Sequence, residues 1–133
     1  MAEQQYSIHP IGWVESSLAA ADQAPDQEDH AGAPAAWLVF APSVRAGLRD
    51  LRIGQEILLL TWFDRARRDV FVVHPHGDPA NPETGVFSTR SPNRPNPIAL
   101  HRVKITATDG LRVQVAALEA LDATPIVDIK PVK

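Results

Sequence analysis

The stretch RVKITATDGLRVQVAA, residues 102–117, decides the fold class. Val103, Ile105 and Ala107 alternate with Arg102, Lys104 and Thr106. Past Asp109-Gly110, the apolar Leu111, Val113, Val115 and Ala117 alternate with Arg112 and Gln114. Successive side chains of a strand point to opposite faces, so a period of two gives each arm one apolar face. Aspartate followed by glycine suits the turn between them, because both tolerate left-handed backbone. Residues 102–117 therefore read as a β-hairpin.

Outward from the hairpin, further short strands follow. Tyr6–Ser17 carries Ile8, Ile11, Trp13 and Val14, with Pro10 marking an edge or a bulge. Trp37–Phe40, Glu56–Phe63, Asp69–His74, Gly85–Ser88 and Ile126–Ile129 are the remaining strand candidates. Ser43 is placed to cap a short helix that keeps Val44, Leu48 and Leu51 on one face. Residues 18–34 are polar and alanine-rich without a period, the pattern of a functional lid or a mobile segment. The expectation is one mainly β domain, a small sheet or barrel with one or two short helices.

The 133 residues suffice for one independent core, and 44% apolar with 22% charged is ordinary for a soluble globular chain. No cysteine is present, which excludes disulfides and thiolate zinc sites. The longest apolar run, near Ile57–Phe63, is too short to span a bilayer, and the N-terminus lacks a secretory pattern. A cytoplasmic location fits both. GxGxxG, GxxxxGK[ST] and GxSxG are all absent, which argues against a doubly wound nucleotide fold and a serine hydrolase elbow. His74 and His76 flank Pro75 without a second histidine cluster, an incomplete ligand set for a metal.

Charge is unevenly distributed. The net value is −3, yet residues 1–44 hold six acids and no lysine or arginine. Arginine dominates the middle, with Arg45, Arg49 and Arg52 spaced to line one face of the short helix. Such a stripe reads either as a solvated face or as a phosphate footprint, and the arginine excess itself as function or as compositional habit.

The densest chemistry lies in GVFSTRSPNRPNPIAL, residues 85–100. Pro92, Pro95 and Pro97 fix φ and bias the residues before them toward extended geometry. A stiff segment loses little entropy when it grips a ligand. Arg90 and Arg94 offer planar cationic forks, and Asn93 and Asn96 offer donors and acceptors. The bland reading is a proline-rich corner with its arginines in water. A second polar knot, LDATPIVDIKP, occupies residues 121–131.

These two stretches, with the opening IGWVES and the central LLLTWFDRARRD, resemble the TsaA-like family, also called TrmO. The resemblance covers nearly the whole chain, read as one domain over 1–133 with no C-terminal extension. It implies a small β-barrel-like, non-Rossmann domain that works as a homodimer and binds S-adenosylmethionine where the subunits meet. It also implies a methyltransferase acting on tRNA, at the exocyclic amine of a threonylcarbamoyl-modified adenosine just 3′ of the anticodon. Neither a metal nor a membrane is implied.

Carried over by position, the cofactor contacts implied by the resemblance are Pro25, Asp26 and Gln27; Asp64 and Arg65; Arg90; Leu100; and Asp122, Ala123, Thr124 and Pro125. Arg90, Asn96 and Asp122 are the catalytic candidates, Arg90 fixing the ligands, Asn96 orienting the base and Asp122 receiving the released proton. Arg94, Arg45, Arg49 and Arg67 are the candidates for RNA contact, with Arg52 and Arg68 beside them. Two positions depart from the family pattern: Asp64 stands where histidine is usual, and Ala123 where glycine is usual. They support one rival reading, an S-adenosylmethionine sensor that transfers nothing. A metal-assisted hydrolase built on His74 and His76 is a third.

Overall fold

The computed structural model describes residues 3–19 and 33–133. Among them the strands are β1 (Gly12–Glu15), β2 (Ala36–Phe40), β3 (Glu56–Trp62), β4 (Val72–Val73), β5 (Thr84–Gly85), β6 (Ile98–Asp109), β7 (Arg112–Val115) and β8 (Pro125–Pro131). Six of them hydrogen-bond in the order β1-β2-β7-β6-β3-β8, and β8 returns to β1 to close the ring. Every pairing is antiparallel, and β4 and β5 form a separate two-stranded sheet. The chain is a single, mainly β domain. A ring of paired strands leaves few unmatched edge groups, which suits a chain with little helix.

The alternation in the sequence sets which face is inside. Val103 and Ile105 on β6, Val113 and Val115 on β7, Leu38 and Phe40 on β2, and Ile57 and Leu59 on β3 are buried together with Val14 and Ile126. Asp109 pairs with Arg112, so the tight turn is Gly110-Leu111, one residue later than the aspartate-glycine pair implied. Gly110 has φ 61, and Leu111 is not among the positive-φ residues, as expected of a turn that needs glycine at its first central position. Gly12 lets β1 approach β2: a Cβ built there would fall on the Val39 carbonyl oxygen. No other residue type fits without moving backbone.

Several boundaries differ from expectation. β6 begins at Ile98, so the end of the proline-rich motif is itself strand. β7 stops at Val115 because Ala117 takes φ 50, which a strand does not accommodate. Only Gly12–Glu15 of the opening segment pairs, and Val86–Ser88 is a single 3-10 turn. The helix after β2 is also 3-10, spanning Pro42–Leu48; Ala41 rather than Ser43 is its N-cap, with no side-chain cap. Pro42 opens that turn without losing a needed donor, so a serine cap is dispensable. No helix among the described residues is long and apolar enough to cross a membrane.

Candidate functional site

Two loops at one end of the ring are tied together. β3 leads into residues 63–71, and residues 86–97 lead into β6. Phe63 N donates to Pro97 O at 2.8 Å, Arg94 N to Arg67 O at 3.0 Å, and Arg67 N to Asn93 Oδ1 at 2.9 Å. Arg68 donates to Pro95 O at 2.7 Å and to Asn96 Oδ1 at 3.0 Å, with its guanidinium 5.2 Å from the Trp62 ring centroid.

Arg94 holds the proline-rich loop from within. Its Nη1 donates to Thr89 O at 3.1 Å and Ser91 O at 3.2 Å, and its Nη2 to Val86 O at 2.5 Å and Thr89 O at 3.1 Å. A guanidinium presents five donors in a fixed fork, so these carbonyls lock the backbone on both sides of Arg90. Prolines and Arg94 together make Arg90 a cation on a rigid mount.

The opposite wall is the 121–125 turn. Asp122 Oδ1 accepts from Ser16 N at 3.0 Å, Asp122 N donates to Leu18 O at 2.6 Å, and Ala123 N donates to Val14 O at 2.7 Å. Thr124 is buried and donates through Oγ1 to Leu121 O at 2.7 Å. Ala123 adopts φ 68, the left-handed geometry that costs an L-residue roughly 1–2 kcal/mol. The substitution of alanine for the usual glycine therefore lies at a position that favours glycine. Arg65 reaches Ala19 O at 3.0 Å and lies 3.5 Å from Asp122 O, linking the two walls.

Between the walls lies a cavity of about 350 Å³, within the ~300–1,000 Å³ usual for small-molecule sites. Asp64, Arg65, Arg90, Arg94, Leu100 and Thr124 line it. These positions come from separate parts of the sequence and converge on one space. Asp122, Ala123 and Pro125 do not line it; they shape the turn that presents Thr124. Asn96 is also outside the lining and is engaged by Arg68. Pro25, Asp26 and Gln27 lie outside the described residues.

The arginine stripe is elsewhere. Arg45 and Arg49 border a shallow depression beside Thr108 and Gly110, at the far end of β6 from Leu100. Eight residues of strand from Leu100 to Thr108 make a separation of roughly 26 Å. Arg49 lies 3.6 Å from Asp50, with both side chains largely in solvent. Arg67 makes a two-pronged contact with Asp69, at 3.1 and 3.0 Å. The bonding lowers the Asp69 carboxyl from its ordinary value and raises the Arg67 guanidinium. His74 Nδ1 lies 2.9 Å from Asn81 O, and no group of three His, Cys, Asp or Glu able to hold a metal occurs among the described residues.

His101 and Glu119, at the inner surface of the cavity, were not singled out by the sequence reading. His101 is 1% exposed and Glu119 8% exposed, both lining it. His101 Nε2 lies 2.8 Å from Thr61 Oγ1, and Nδ1 lies 3.4 Å from Glu119 Oε1. The Phe63 ring is tilted against the imidazole at 5.8 Å between centroids. The alternation His101, Val103, Ile105 was a usable signal, since it turns the imidazole inward. Nothing in ALEALD predicts that Glu119 joins it.

Comparison with known proteins assigns the family. A family model described as the tRNA-methyltransferase O N-terminal domain matches residues 13–133. The chain belongs to the TrmO family. An S-adenosyl-L-methionine-binding protein of Archaeoglobus fulgidus is 39% identical over 123 residues, 92% of this chain and 86% of the relative. A probable S-adenosyl-L-methionine-binding protein of the same organism is 39% identical over 124 residues, 93% of this chain but 33% of the relative. The crystal structure of TrmO from Pseudomonas aeruginosa matches with a TM-score of 0.77 at 28% identity, over 98% of this chain and 57% of that one. The chain thus spans a third of one curated relative and just over half of the TrmO chain.

Proposed function

We propose that the cavity binds S-adenosylmethionine and that the chain directs its methyl group to a tRNA nucleoside. The observation that carries this reading is the convergence of Asp64, Arg65, Arg90, Leu100 and Thr124, positions the family resemblance marks as cofactor contacts, on one cavity. Its chemistry fits the group: cationic forks for a carboxylate, the Asp64 carboxylate for hydroxyl groups, and Phe63, Pro97 and Leu121 for a flat apolar ring. Bound there, the cofactor supplies an electrophilic methyl group.

The residues of the chain contribute position. Arg90 orients an anionic group, and Arg94 with the three prolines keeps Arg90 in place. Asp64 is an acceptor for hydroxyls, where the pattern implied by the family resemblance has histidine. Asp122 fixes the turn through Ser16 N rather than facing the cavity, so proton removal is better sought elsewhere. Holding reacting atoms in line lowers a barrier by ~7–11 kcal/mol in favourable cases, so rigid mounts of this kind account for much of the catalysis.

The acceptor in this reading is the exocyclic amine of threonylcarbamoyl-modified adenosine beside the anticodon, and the work is cytoplasmic. A homodimer with the cavity at its seam accords with Phe71 and Phe87, which are 62% and 79% exposed next to the β4–β5 sheet. A second copy is the natural cover for such apolar rings. The curated relatives are named for binding alone, which keeps a sensor without transfer as the second reading. Incubation with radiolabelled cofactor and unmethylated total tRNA separates the two. Label in tRNA nucleosides is the expected result; saturable binding with unlabelled tRNA would select the sensor.

A further inference from the structure

Glu119 and His101 pose a problem that the contacts described so far leave unsolved. Glu119 is a carboxylate 92% removed from solvent by its 8% exposure, and its Oε2 has no hydrogen-bond partner. His101 Nδ1 also lacks one; its 3.4 Å approach to Glu119 Oε1 brings charge near without forming a bond. Leaving buried carboxylate oxygen unpaired is costly, and such groups usually mark a function or a bound partner.

The hydroxyl of Thr61 decides which way the ring works. If Thr61 donates to Nε2, the imidazole carries its hydrogen on Nδ1 and presents it toward the Glu119 carboxylate. The opposite tautomer would set a lone pair against that carboxylate. The favoured arrangement therefore turns Oε1 toward the ring and leaves Oε2 a buried acceptor without a partner, on a residue that lines the cavity. An acceptor of that kind selects a donor carrying positive charge, which an ammonium provides and a sulfonium, lacking N–H, does not.

We propose that Glu119, oriented by His101 and Thr61, is a subsite for the α-ammonium group of the ligand, opposite in charge to the Arg90 wall. One cavity then reads both charges of an amino-acid end. The inference rests on the cofactor reading above and extends it to residues that reading did not use.

The probe is S-adenosylhomocysteine, whose neutral sulfur leaves the ammonium as its only cation, compared by calorimetry with the same thioether lacking the α-amino group. Wild-type protein should prefer the amine by about tenfold or more, and Glu119→Gln should bind both alike. Equal affinities in the wild type, or a preference that survives in Glu119→Gln, would overturn the subsite while leaving the cofactor site standing. Failure of the wild type to bind either molecule would remove the cofactor reading and the subsite with it. Should Glu119→Gln melt early, imidazole nitrogen spectra of the wild type decide the matter. The His101 signals should move with the amine-bearing probe and not with its analogue; an equal response to both would count against the subsite.

Discussion

Arginine is used in opposite ways at the two ends of β6. Near Leu100, Arg94 and Arg68 donate to loop carbonyls and to Asn96, so their charges are consumed in fixing backbone. Near Thr108, Arg45 and Arg49 stand in solvent around a shallow depression, one of them beside Asp50. The same residue type is a structural rivet in one place and a mobile charge in the other. The difference follows from geometry: a guanidinium surrounded by bent, proline-stiffened chain finds carbonyls to bond, and one on a short 3-10 turn finds water.

The sharpest way to test that contrast is at Arg90, the cation mounted by the riveted loop. Arg90→Ala should cut methyl transfer by about a hundredfold or more in a variant that still folds, comparable to losing one well-placed electrostatic donor. Retained turnover would show that the mount carries nothing of use. Next comes Arg94→Ala, expected to lose ~2–3 kcal/mol in urea unfolding because several loop carbonyls lose charged donors at once. Arg94→Lys should recover little of it, since an ammonium lacks the planar fork; full recovery would mean that charge alone suffices.

A smaller effect of the other sign is expected at Ala123. Replacement by glycine relieves φ 68 and should raise stability by up to ~1 kcal/mol, less than the full strain because glycine has more freedom when unfolded. No gain, or a loss, would mean that the turn tolerates alanine without strain. At the solvent end, replacing Arg45, Arg49 and Arg52 together by alanine should change stability by less than ~0.5 kcal/mol and leave cofactor affinity intact. Any role of the stripe should surface only as a flatter salt dependence of tRNA binding.

The Arg67–Asp69 pair gives the weakest signal. Bonding to Arg67 holds the Asp69 carboxyl below its ordinary value, so its stabilisation is present at neutral pH. It disappears as pH falls through the lowered folded-state value. Both side chains are open to solvent, so the Arg67→Ala penalty should be slight at pH 7 and absent in strong acid. A penalty that grew on acidification would contradict this assignment.

How much of this was legible in the sequence depended on the range of the interaction. The hairpin of residues 102–117 was readable because its period and its turn are local. The concentration of chemistry in the 85–100 stretch was readable too, and residues 90–94 and 97–100 of it line the cavity. The division of labour inside it was not: both Arg90 and Arg94 line the cavity, and that Arg94 also ties the loop depends on where carbonyls 86, 89 and 91 come to lie. Ser43 has the side chain of a cap, but Pro42 opens the turn from Ala41 without one. Glu119 escaped because it reaches His101 from the connection between β7 and β8, and no local pattern encodes a contact between residues 18 apart.

Calorimetric titration of wild-type and Arg90→Ala protein with S-adenosylmethionine tests the central claim most directly. Saturable binding at one ligand per chain, lost or weakened at least tenfold in a variant that remains folded, is the predicted result. A folded wild-type protein that releases no binding heat and shows no saturation, or a variant that binds as tightly as wild type, would contradict it.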